Sequence, residues 1–546
     1  MMRTFRKHPS QAVRRALPAL ACLAALAVLG GCGHGTAARQ AAVAGHAATK
    51  RTQAQRPAVR RAAAARLAPA PGFSGTGCNL AYLRTSLHLA GVTVDSAAMD
   101  TSGSYASPSQ QPLTGLPSFC DVGITQTDAA GNPIHIDVWL PKSWNGRFEG
   151  VGGSVYACGP WYFEMAPAIS AGYAAAATDC GVSPADLDTA SWALHDGQLD
   201  RPLIRDFAYA GIHDMTVAGK AVTDLYYPSR LRFSYFNGCS TGGREGLTEA
   251  QRYPADYNGI ASGAPAINWT RFIPAEIWPQ LVMNQAGDFL PACKEAAFTD
   301  AAVKACGTSG VISNPSACNW NPASLVGDVT PCGVITAQDA QVMTKIWQGP
   351  ENSRGRKLWY GLERGTSLAG IATAGQPFPV TVSWLGTWLQ RNPAWDWRTL
   401  TYQQFDQLYQ RSVREFSGIF ASDNPDLSAF KKHGGKIIIW HGLSDQLIFP
   451  QGTVRYYNQV RSAMGGLRRT ESFARLFLAP GAAHCASAAG AAPAEPAQPM
   501  DSLVNWVEKG NAPATIPAVV TDPATGLVTP ARPLCLYPLL ARCPGQ

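Results

Sequence analysis

NGCSTGGREGL, residues 237–247, decides how the rest of the chain is interpreted. The stretch has glycines two positions on either side of Ser240, and this G-x-S-x-G spacing is typical of a nucleophile elbow, a strained turn between a strand and a helix. LRFSYFNG (231–238) is aromatic and apolar and suits a buried strand, whereas REGLTEAQRY (244–253) has apolar residues among helix formers. Strand, turn and helix stand in the required order, so Ser240 is predicted to be a nucleophile rather than part of a structural glycine turn.

Two later apolar runs predict strands that carry the partners of this serine. KIIIW (436–440) leads into Asp445, and ARLFLAPG (474–481) leads into His484. An enzyme that uses this elbow supplies its triad in the order serine, acid, histidine, with the acid and the histidine after late strands. Asp445 is therefore predicted to be the acid and His484 the base. Imidazole accepts a proton near neutral pH, and the carboxylate holds the ring in the right tautomer.

Two other histidines follow the serine. His441 is the alternative base, but it precedes Asp445 and would break the chain order of the triad. His433 lies before the first of the two predicted strands and is expected to be exposed. His484 is preferred over both.

One cysteine stands beside the serine and another beside the histidine. Cys239 directly precedes Ser240, and Cys485 directly follows His484. If serine and histidine must touch, the two cysteines are brought close, and a disulfide between them would join the elbow to the histidine loop. In the chain-entropy model a bridge that closes so long a loop contributes on the order of 5 kcal/mol, although strain often reduces that. The alternative, two unrelated buried cysteines, would require chance adjacency at both places.

The composition is that of a folded chain with a basic leader. Of 546 residues, 46% are hydrophobic and 15% are charged, and the length exceeds what one ordinary core holds. The formal net charge is +8, but twelve Lys and Arg residues precede residue 67 and no Asp or Glu precedes Asp95. The remainder has 33 basic against 37 acidic residues, and this charge balance does not indicate a nucleic-acid-binding protein.

The N-terminus is typical of an export signal. Five Lys and Arg residues within 3–15 precede an apolar run, 16–31, which leads into Cys32 through Leu-Gly-Gly and resembles the lipobox of bacterial lipoproteins. Residues 1–31 are predicted to be a signal peptide, with Cys32 lipidated and residues 32–74 forming an Ala-rich tether. An ordinary signal peptide cleaved nearby is the alternative, and the apolar run is short for a membrane-spanning helix.

Cysteine usage agrees with export. Twelve cysteines remain after Cys22 and Cys32 are set aside, and an even number outside the cytoplasm predicts disulfides. No CxxC pair is present, so a zinc ribbon or a thioredoxin-type motif has no support.

The pairing of Cys-Ser, Asp and His-Cys resembles the tannase and feruloyl esterase family, which also contains the bacterial hydrolase of mono(2-hydroxyethyl) terephthalate. Similarity to the family extends from about Cys78 to the C-terminus. The similar blocks are YFNGCSTGGREGLTEAQRYPADYNGIASGAPAINW (235–269), WNGRFEGVGG (144–153), HGLSDQLIFP (441–450), ARLFLAPGAAHC (474–485) and RPLCLYP (532–538).

This resemblance implies an α/β-hydrolase fold with a large inserted lid. The hydrolase domain is expected to comprise residues 75–267 and 433–546, with residues 268–432 as the lid. Within the lid, SWLGTWLQRNPAWDW (383–397) suits an aromatic pocket wall, and Trp384 is the predicted substrate contact. Ordinary lid core is the alternative for most of these tryptophans.

The resemblance also implies an oxyanion hole. One donor is the backbone N–H of Thr241, directly after the nucleophile, and the other comes from an early glycine loop. GVGGS (150–154) is similar to the family's loop, and Gly153 matches its donor. Losing one such donor typically costs about 10²–10³ in rate.

Five further disulfides are expected besides Cys239–Cys485. Four pairs are proposed chiefly because their members are close in sequence, and the first, third and fourth also resemble family bridges. The fifth, Cys293–Cys332, follows only by elimination. The four are Cys78–Cys120, Cys158–Cys180, Cys306–Cys318 and Cys535–Cys543.

The chain departs from the family at the lid calcium site. The family's pattern there resembles C-D-x-x-D-G-x-x-D-G, whereas the segment from Cys306 to Cys318 contains no Asp or Glu. Calcium requires six to eight oxygen ligands, several of them usually carboxylates. No metal and no cofactor are therefore expected, and carboxylates from Asp300 or Asp328 are the alternative source of ligands.

The resemblance implies a serine esterase that cleaves esters of aromatic acids through an acyl-enzyme, with hydroxycinnamoyl esters favoured over galloyl and other benzoyl esters. A hydrolase of terephthalate monoesters is the less favoured alternative, because no carboxylate-clamping arginine is identified although Arg391 and Arg398 are nearby. A catalytically silent surface-binding lipoprotein is the alternative of another class. The expected partner is a small aromatic ester, free or attached to plant polysaccharide, with no nucleic acid and with membrane contact only through the lipid anchor. The expected location is the cell surface, or the medium if the chain is fully secreted.

Overall fold

The computed structural model describes residues 77–543 apart from some short gaps. The predicted signal peptide, the lipidation site Cys32 and the tether lie outside the described residues. The gaps are 107–111, 160–161, 183–186, 188, 309, 373–374, 487–493, 523–524, 526 and 541–542.

A nine-stranded sheet forms the centre of the fold, with the strand order β1-β4-β5-β7-β6-β10-β11-β14-β15. Short pairs β2-β3, β8-β9 and β12-β13 and a three-stranded sheet β16-β17-β18 lie apart from it. In chain order the strands are β1 Val92–Asp100, β2 Ser104–Tyr105, β3 Leu113–Thr114, β4 Phe119–Thr127, β5 Pro133–Pro141, β6 Arg147–Val151, β7 Ala174–Thr178, β8 Leu194–His195, β9 Gln198–Leu199, β10 Phe233–Cys239, β11 Gly259–Gly263, β12 Val329–Thr330, β13 Gly333–Val334, β14 Lys436–Gly442, β15 Ala474–Ala479, β16 Glu495–Pro496, β17 Thr515–Thr521 and β18 Val528–Cys535.

The central sheet is antiparallel at one edge and parallel elsewhere. Strands β1, β4, β5 and β7 pair antiparallel in succession. Strands β7, β6, β10, β11, β14 and β15 run parallel. Because parallel strands end at the same side of a sheet, the residues that follow β10, β14 and β15 are brought to one edge, where open α/β sheets bind their ligands.

Helices cover the sheet and connect its parallel strands. Among the described residues, none of them combines the length and apolar character needed to cross a bilayer. They are α1 Leu80–Ser86, α2 Tyr162–Ser170, α3 Ala190–Ala193, α4 Arg201–Arg205, α5 Gly211–Tyr226, α6 Thr241–Arg252, α7 Trp269–Ala275, α8 Trp278–Ala286, α9 Ala292–Cys306, α10 Ala337–Gln348, α11 Pro379–Ser383, α12 Tyr402–Phe420, α13 Ser428–Lys432, α14 Pro450–Ala463, α15 Leu467–Glu471 and α16 Pro499–Lys509.

Strand β14 shows why the sheet is apolar on both faces. Ile437 and Ile439 belong to one buried core, whereas Ile438 and Trp440 belong to another. Successive side chains of a strand point to opposite faces of the sheet. A strand whose two faces are both covered therefore has a continuous run of apolar residues in its sequence. This is the run that predicted the strand from sequence.

The long segment between β11 and β14, residues 264–435, is called the insertion below. Its described residues add no strand to the nine-stranded sheet and form helices α7 to α13 with the hairpin β12-β13. Helix α12 begins with a capping box in which Thr401 accepts from the amide of Gln404, whose side chain accepts in return from the Thr401 amide. The insertion contains the predicted lid, whose boundaries and role remain predictions.

Six disulfides join the described cysteines, and they match the six predicted pairings. The bridges are Cys78–Cys120, Cys158–Cys180, Cys239–Cys485, Cys293–Cys332, Cys306–Cys318 and Cys535–Cys543. Bridges of this number indicate an oxidising compartment outside the cytoplasm.

Candidate active site

Ser240 lies in a strained turn between β10 and α6. Its backbone has φ 62° and ψ −123°, a conformation that a residue with a side chain rarely adopts. The neighbouring glycine is required, because a Cβ on Gly238 would lie 2.6 Å from the carbonyl carbon of Gly242. The predicted elbow geometry is therefore present at the end of a central parallel strand.

Asp445 and His484 meet beside this turn. Asp445 follows β14, His484 follows the neighbouring β15, and His484 Nδ1 lies 2.8 Å from Asp445 Oδ2. Because Nδ1 donates to the carboxylate, Nε2 is the nitrogen left to accept a proton. His484 Nε2 has the sulfur of Cys485 at 3.6 Å. No hydrogen bond between Ser240 and His484 is present among the described residues, and such bonds are often long until substrate binds.

The acid is held in its charged form. Asp445 is completely enclosed, and burial alone would raise the pKa of its carboxyl group. The charge of His484 and hydrogen bonds from His441 and His484 outweigh that effect and lower the pKa of Asp445 well below its usual range. Asp445 is therefore an anion at neutral pH.

The disulfide beside the serine ties the two halves of the site together. Cys239 and Cys485 are 246 positions apart in the chain, and their Cα atoms are 5.9 Å apart. The bridge joins the last residue of β10 to the turn that carries His484. This is the cross-link that the positions of the two cysteines predicted.

The two predicted oxyanion donors differ in their surroundings. Thr241 is the first residue of α6, so its N–H is one of the groups that a helix N-terminus leaves without an intrahelical partner. The N–H of Gly153, in contrast, donates to Glu245 Oε2 at 2.9 Å. The role of Gly153 as the second oxyanion donor stays a prediction, and in this structure its amide donates to the carboxyl group of Glu245.

Glu245 was missed by the sequence interpretation. Burial raises the pKa of its carboxyl group to about 8, while Arg244 and the Gly153 amide act in the opposite direction. Arg244 Nη2 lies 3.6 Å from Glu245 Oε1, and both side chains are fully buried. The available signal was a pair of charged residues one turn after Ser240, in a helix whose residues 241–250 are all buried.

Trp384 is enclosed in the core of this structure. Its side chain has no exposed surface, and its Nε1–H donates to Ser412 Oγ at 2.9 Å. It stacks on Trp388 at 5.0 Å and packs against Phe416 and Phe420. Its contact with substrate stays a prediction, and in this structure the ring belongs to an apolar core that the insertion shares with the hydrolase part of the chain.

A carboxyl group from outside the loop contacts the described part of the segment from Cys306 to Cys318. Ser316 Oγ donates to Glu363 Oε1 at 3.0 Å, and burial raises the pKa of Glu363. The expectation that this loop binds no calcium stays a prediction.

One cluster of described residues has the spacing of metal ligands, formed by His213, Glu249 and Asp256. His213 Nδ1 already lies 2.7 Å from Asp256 Oδ2, and the ammonium of Lys220 donates to the Asp256 carbonyl oxygen. Burial, and then the charge of Asp256, raise the pKa of Glu249 well above its usual range, so these surroundings disfavour its charged form. Asp256 is already paired with His213, and we assign no ion to this cluster.

The fold is that of an α/β hydrolase, with the serine at an elbow and the acid and the histidine after later parallel strands. A model of the family described as tannase and feruloyl esterase matches residues 120–546. The chain belongs to this family, and it is a carboxylic ester hydrolase of the feruloyl esterase and tannase type.

Relatives and solved structures agree with that assignment. A probable feruloyl esterase of Arthroderma benhamiae is 41% identical over 78% of this chain and 83% of its own length. A probable feruloyl esterase B-1 of Aspergillus oryzae is 28% identical over 84% and 86%. The crystal structure of feruloyl esterase B from Aspergillus oryzae superposes with a TM-score of 0.73 at 25% identity, covering 84% of this chain and 95% of that one. Tannin acyl hydrolase from Aspergillus niger has a TM-score of 0.75 at 23% identity, covering 85% and 92%, which shows a shared fold.

Proposed function

We propose that this enzyme is a serine esterase that hydrolyses esters of aromatic acids, with Ser240 as nucleophile, His484 as base and Asp445 as the acid. The observation that carries the proposal is the strained elbow at Ser240 beside an Asp445–His484 pair 2.8 Å apart, with the two joined by the Cys239–Cys485 bridge.

In the first half of the reaction, Ser240 Oγ attacks the ester carbonyl carbon while His484 Nε2 takes its proton. The carbonyl oxygen becomes an oxyanion, which the N–H of Thr241 stabilises. When the tetrahedral intermediate collapses, the bond to the alcohol oxygen breaks and His484 returns the proton to that oxygen. The alcohol leaves, and the acyl group stays on Ser240.

In the second half, His484 takes a proton from water, and the water oxygen attacks the acyl carbon. The bond to Ser240 Oγ then breaks, His484 protonates the serine, and the aromatic acid leaves. Asp445 stays ionised throughout, holds the ring by its Nδ1–H and stabilises the imidazolium in each half.

Hydroxycinnamoyl esters are the favoured substrates because the two relatives reported above are named probable feruloyl esterases. Galloyl and other benzoyl esters come next. Terephthalate monoesters rank lower, because the two arginines nearest the tryptophan-rich segment already have acidic partners. Arg391 pairs with Glu415, and Arg398 Nη1 lies 3.4 Å from Asp396 Oδ1.

We also propose a location at the cell surface, with a lipid on Cys32 as the anchor and ester-bearing plant polysaccharide as a source of substrate. The sequence before Cys32 and the six disulfides support export. Mass spectrometry of membrane-extracted protein should find a diacylglycerol thioether on Cys32, and an unmodified mature N-terminus well beyond residue 32 would exclude the anchor.

The decisive experiment compares hydrolysis of methyl ferulate, methyl gallate and mono(2-hydroxyethyl) terephthalate by wild-type protein and by Ser240→Ala. We expect the highest kcat/KM on methyl ferulate and none above background in the variant. A fluorophosphonate probe should label the wild type and not the variant. Wild-type protein that is neither labelled nor active would instead support a silent binding protein on this fold.

A further inference from the structure

His441 is a second histidine on the Asp445 carboxylate, and the proposed reaction gives it no part. Its ring is fully buried at the end of β14. Nε2 lies 3.1 Å from Asp445 Oδ2 and 2.8 Å from the carbonyl oxygen of Ile448. Nδ1 lies 2.9 Å from Thr453 Oγ1 in α14. The ring therefore links the carboxylate to helix α14.

These contacts determine which nitrogen carries the hydrogen. Nε2 faces a carboxylate oxygen and a carbonyl oxygen, which only accept, so Nε2 must be the donor. Nδ1 faces the hydroxyl of Thr453, which can donate to it. A hydrogen on Nδ1 would leave the buried hydroxyl hydrogen without an acceptor among the described contacts, and an unmade bond in such a place is costly. The contacts therefore place a hydrogen on Nε2 of His441 and leave Nδ1 to accept from Thr453.

The Asp445 carboxylate has four N–H donors in all. Oδ1 accepts from the amides of Leu447 at 2.9 Å and Ile448 at 2.8 Å, and Oδ2 accepts from His484 and from His441. The two amides and His441 together leave the carboxylate a single orientation, the one in which Oδ2 also meets His484.

One further titratable group faces this carboxylate. Glu276, at the end of α7, is buried, and burial followed by the charge of Asp445 raises the pKa of Glu276 well above its usual range. Among the described residues, the titratable groups around Asp445 are thus His441, His484 and Glu276.

We propose that His441 is a positioning residue, whose Nε2–H aligns Asp445 Oδ2 with His484 and takes a share of the carboxylate's negative charge. The inference rests on the proposed roles of Ser240, Asp445 and His484. Without this donor the acid loses its alignment, so kcat falls. The less stabilised carboxylate also holds a proton on His484 more firmly, so the acid limb of the pH–rate profile moves to higher pH.

The test is a matched pair of variants, His441→Gln and His441→Leu. Glutamine can place an amide N–H near the position of Nε2, whereas leucine has similar bulk and no donor. We expect kcat of His441→Leu to fall roughly tenfold to 100-fold, the size of loss that a misplacement of up to about 1 Å causes. Its KM should not change, because the ring is buried away from substrate. Its acid limb should move up by as much as about one pH unit, while His441→Gln keeps both properties near wild type.

A second pair, Thr453→Val and Thr453→Ser, tests the same link if the His441 variants fail to fold. Valine has the shape of threonine without the hydroxyl that donates to Nδ1, and serine keeps that hydroxyl. We expect a smaller loss of kcat and a smaller upward movement of the acid limb for Thr453→Val, and no change for Thr453→Ser. Equal behaviour of the two Thr453 variants would overturn the proposal.

Ser240→Ala, measured beside these variants, separates the two levels of inference. If Ser240→Ala keeps its activity, the proposed function is wrong and the role of His441 falls with it. If Ser240→Ala is inactive while His441→Leu keeps the wild-type kcat and pH profile, only the role of His441 is wrong. The same holds if folded His441→Gln and His441→Leu lose kcat equally, because packing alone would then explain the loss.

Discussion

The catalytic edge, meaning residues 239–241, 441–448 and 484–485, and the insertion, residues 264–435, are held in place by different interactions. At the edge, three chain segments are joined by the Cys239–Cys485 bridge and by N–H donors to Asp445. In the insertion, rings such as Trp384 pack against other rings in an apolar core that continues into the hydrolase part of the chain. Directional bonds specify residue types, whereas apolar packing specifies mainly volume.

The largest expected effect is loss of activity when a residue of the catalytic edge is replaced. We expect Ser240→Ala, Asp445→Ala and His484→Ala each to lower kcat/KM by about 10⁴-fold or more without unfolding the protein. Asp445→Ala should also lower the melting temperature, because it leaves buried N–H donors without their acceptor. Activity on the best ester of the panel, with a thermal melt for each variant, measures both quantities. An inactive His441→Ala beside an active His484→Ala would show that the base had been assigned to the wrong histidine.

Removal of one disulfide from each region sharpens the comparison. The Cys239–Cys485 bridge closes a separation of 246 positions, and the Cys306–Cys318 bridge closes 12. The chain-entropy model therefore predicts a loss of roughly 5 kcal/mol in the free energy of unfolding for the first bridge and about 3 kcal/mol for the second. Urea unfolding of the paired Cys→Ala variants measures the difference. Only loss of the Cys239–Cys485 bridge should also lower kcat. An equal decrease in kcat on loss of either bridge would contradict the proposal that the first bridge holds the catalytic residues and the second does not.

Trp384 tests whether the insertion acts through its packing. Trp384→Ala should lower the free energy of unfolding by about 3–5 kcal/mol, because it opens a cavity in the core. Trp384→Phe should cost less and leave KM for methyl ferulate unchanged. A raised KM in a Trp384→Phe variant of wild-type stability would support Trp384 as a substrate contact.

The smallest expected effect is that of calcium removal. The loop from Cys306 to Cys318 has no carboxylate of its own, and affinity in calcium sites depends on ligand charge. EDTA should therefore change neither the melting temperature nor the esterase rate, while a reductant lowers both. A drop in melting temperature with EDTA that added calcium reverses would show that a carboxylate such as Glu363 rebuilds the site.

Sequence reasoning located the edge residues because each follows a strand whose apolar run is visible in the chain. Parallel strands end at one side, so the residues after β10, β14 and β15 had to meet, and the two cysteines beside Ser240 and His484 had to meet with them. The Cys239–Cys485 pairing was predicted in this way. The other five pairings came from closeness in sequence, resemblance to the family or elimination, and the fold class came from the resemblance.

Sequence reasoning did not predict which side chains contact one another. Gly153 matched a donor by its place in a motif, but the motif did not reveal that Glu245 binds its amide. Trp384 lay in an aromatic segment, but composition does not tell a pocket wall from a core. Glu245 is far from Gly153 in the chain, so the motif could not reveal their contact. Trp384 is one of several aromatic residues in its segment, and the sequence does not tell which of them are enclosed.

The sequence by itself determined the α/β-hydrolase fold, the elbow at Ser240, the order of acid and histidine, and the cross-link of elbow to histidine loop, because these depend on local periodicity and on where strands end. Only the tertiary structure decided that His441 and His484 share one carboxylate, that Glu245 occupies the Gly153 amide and that Trp384 is enclosed. Those outcomes depend on distances between elements remote in sequence, and hydrogen bonds and apolar contacts act only over a few ångströms.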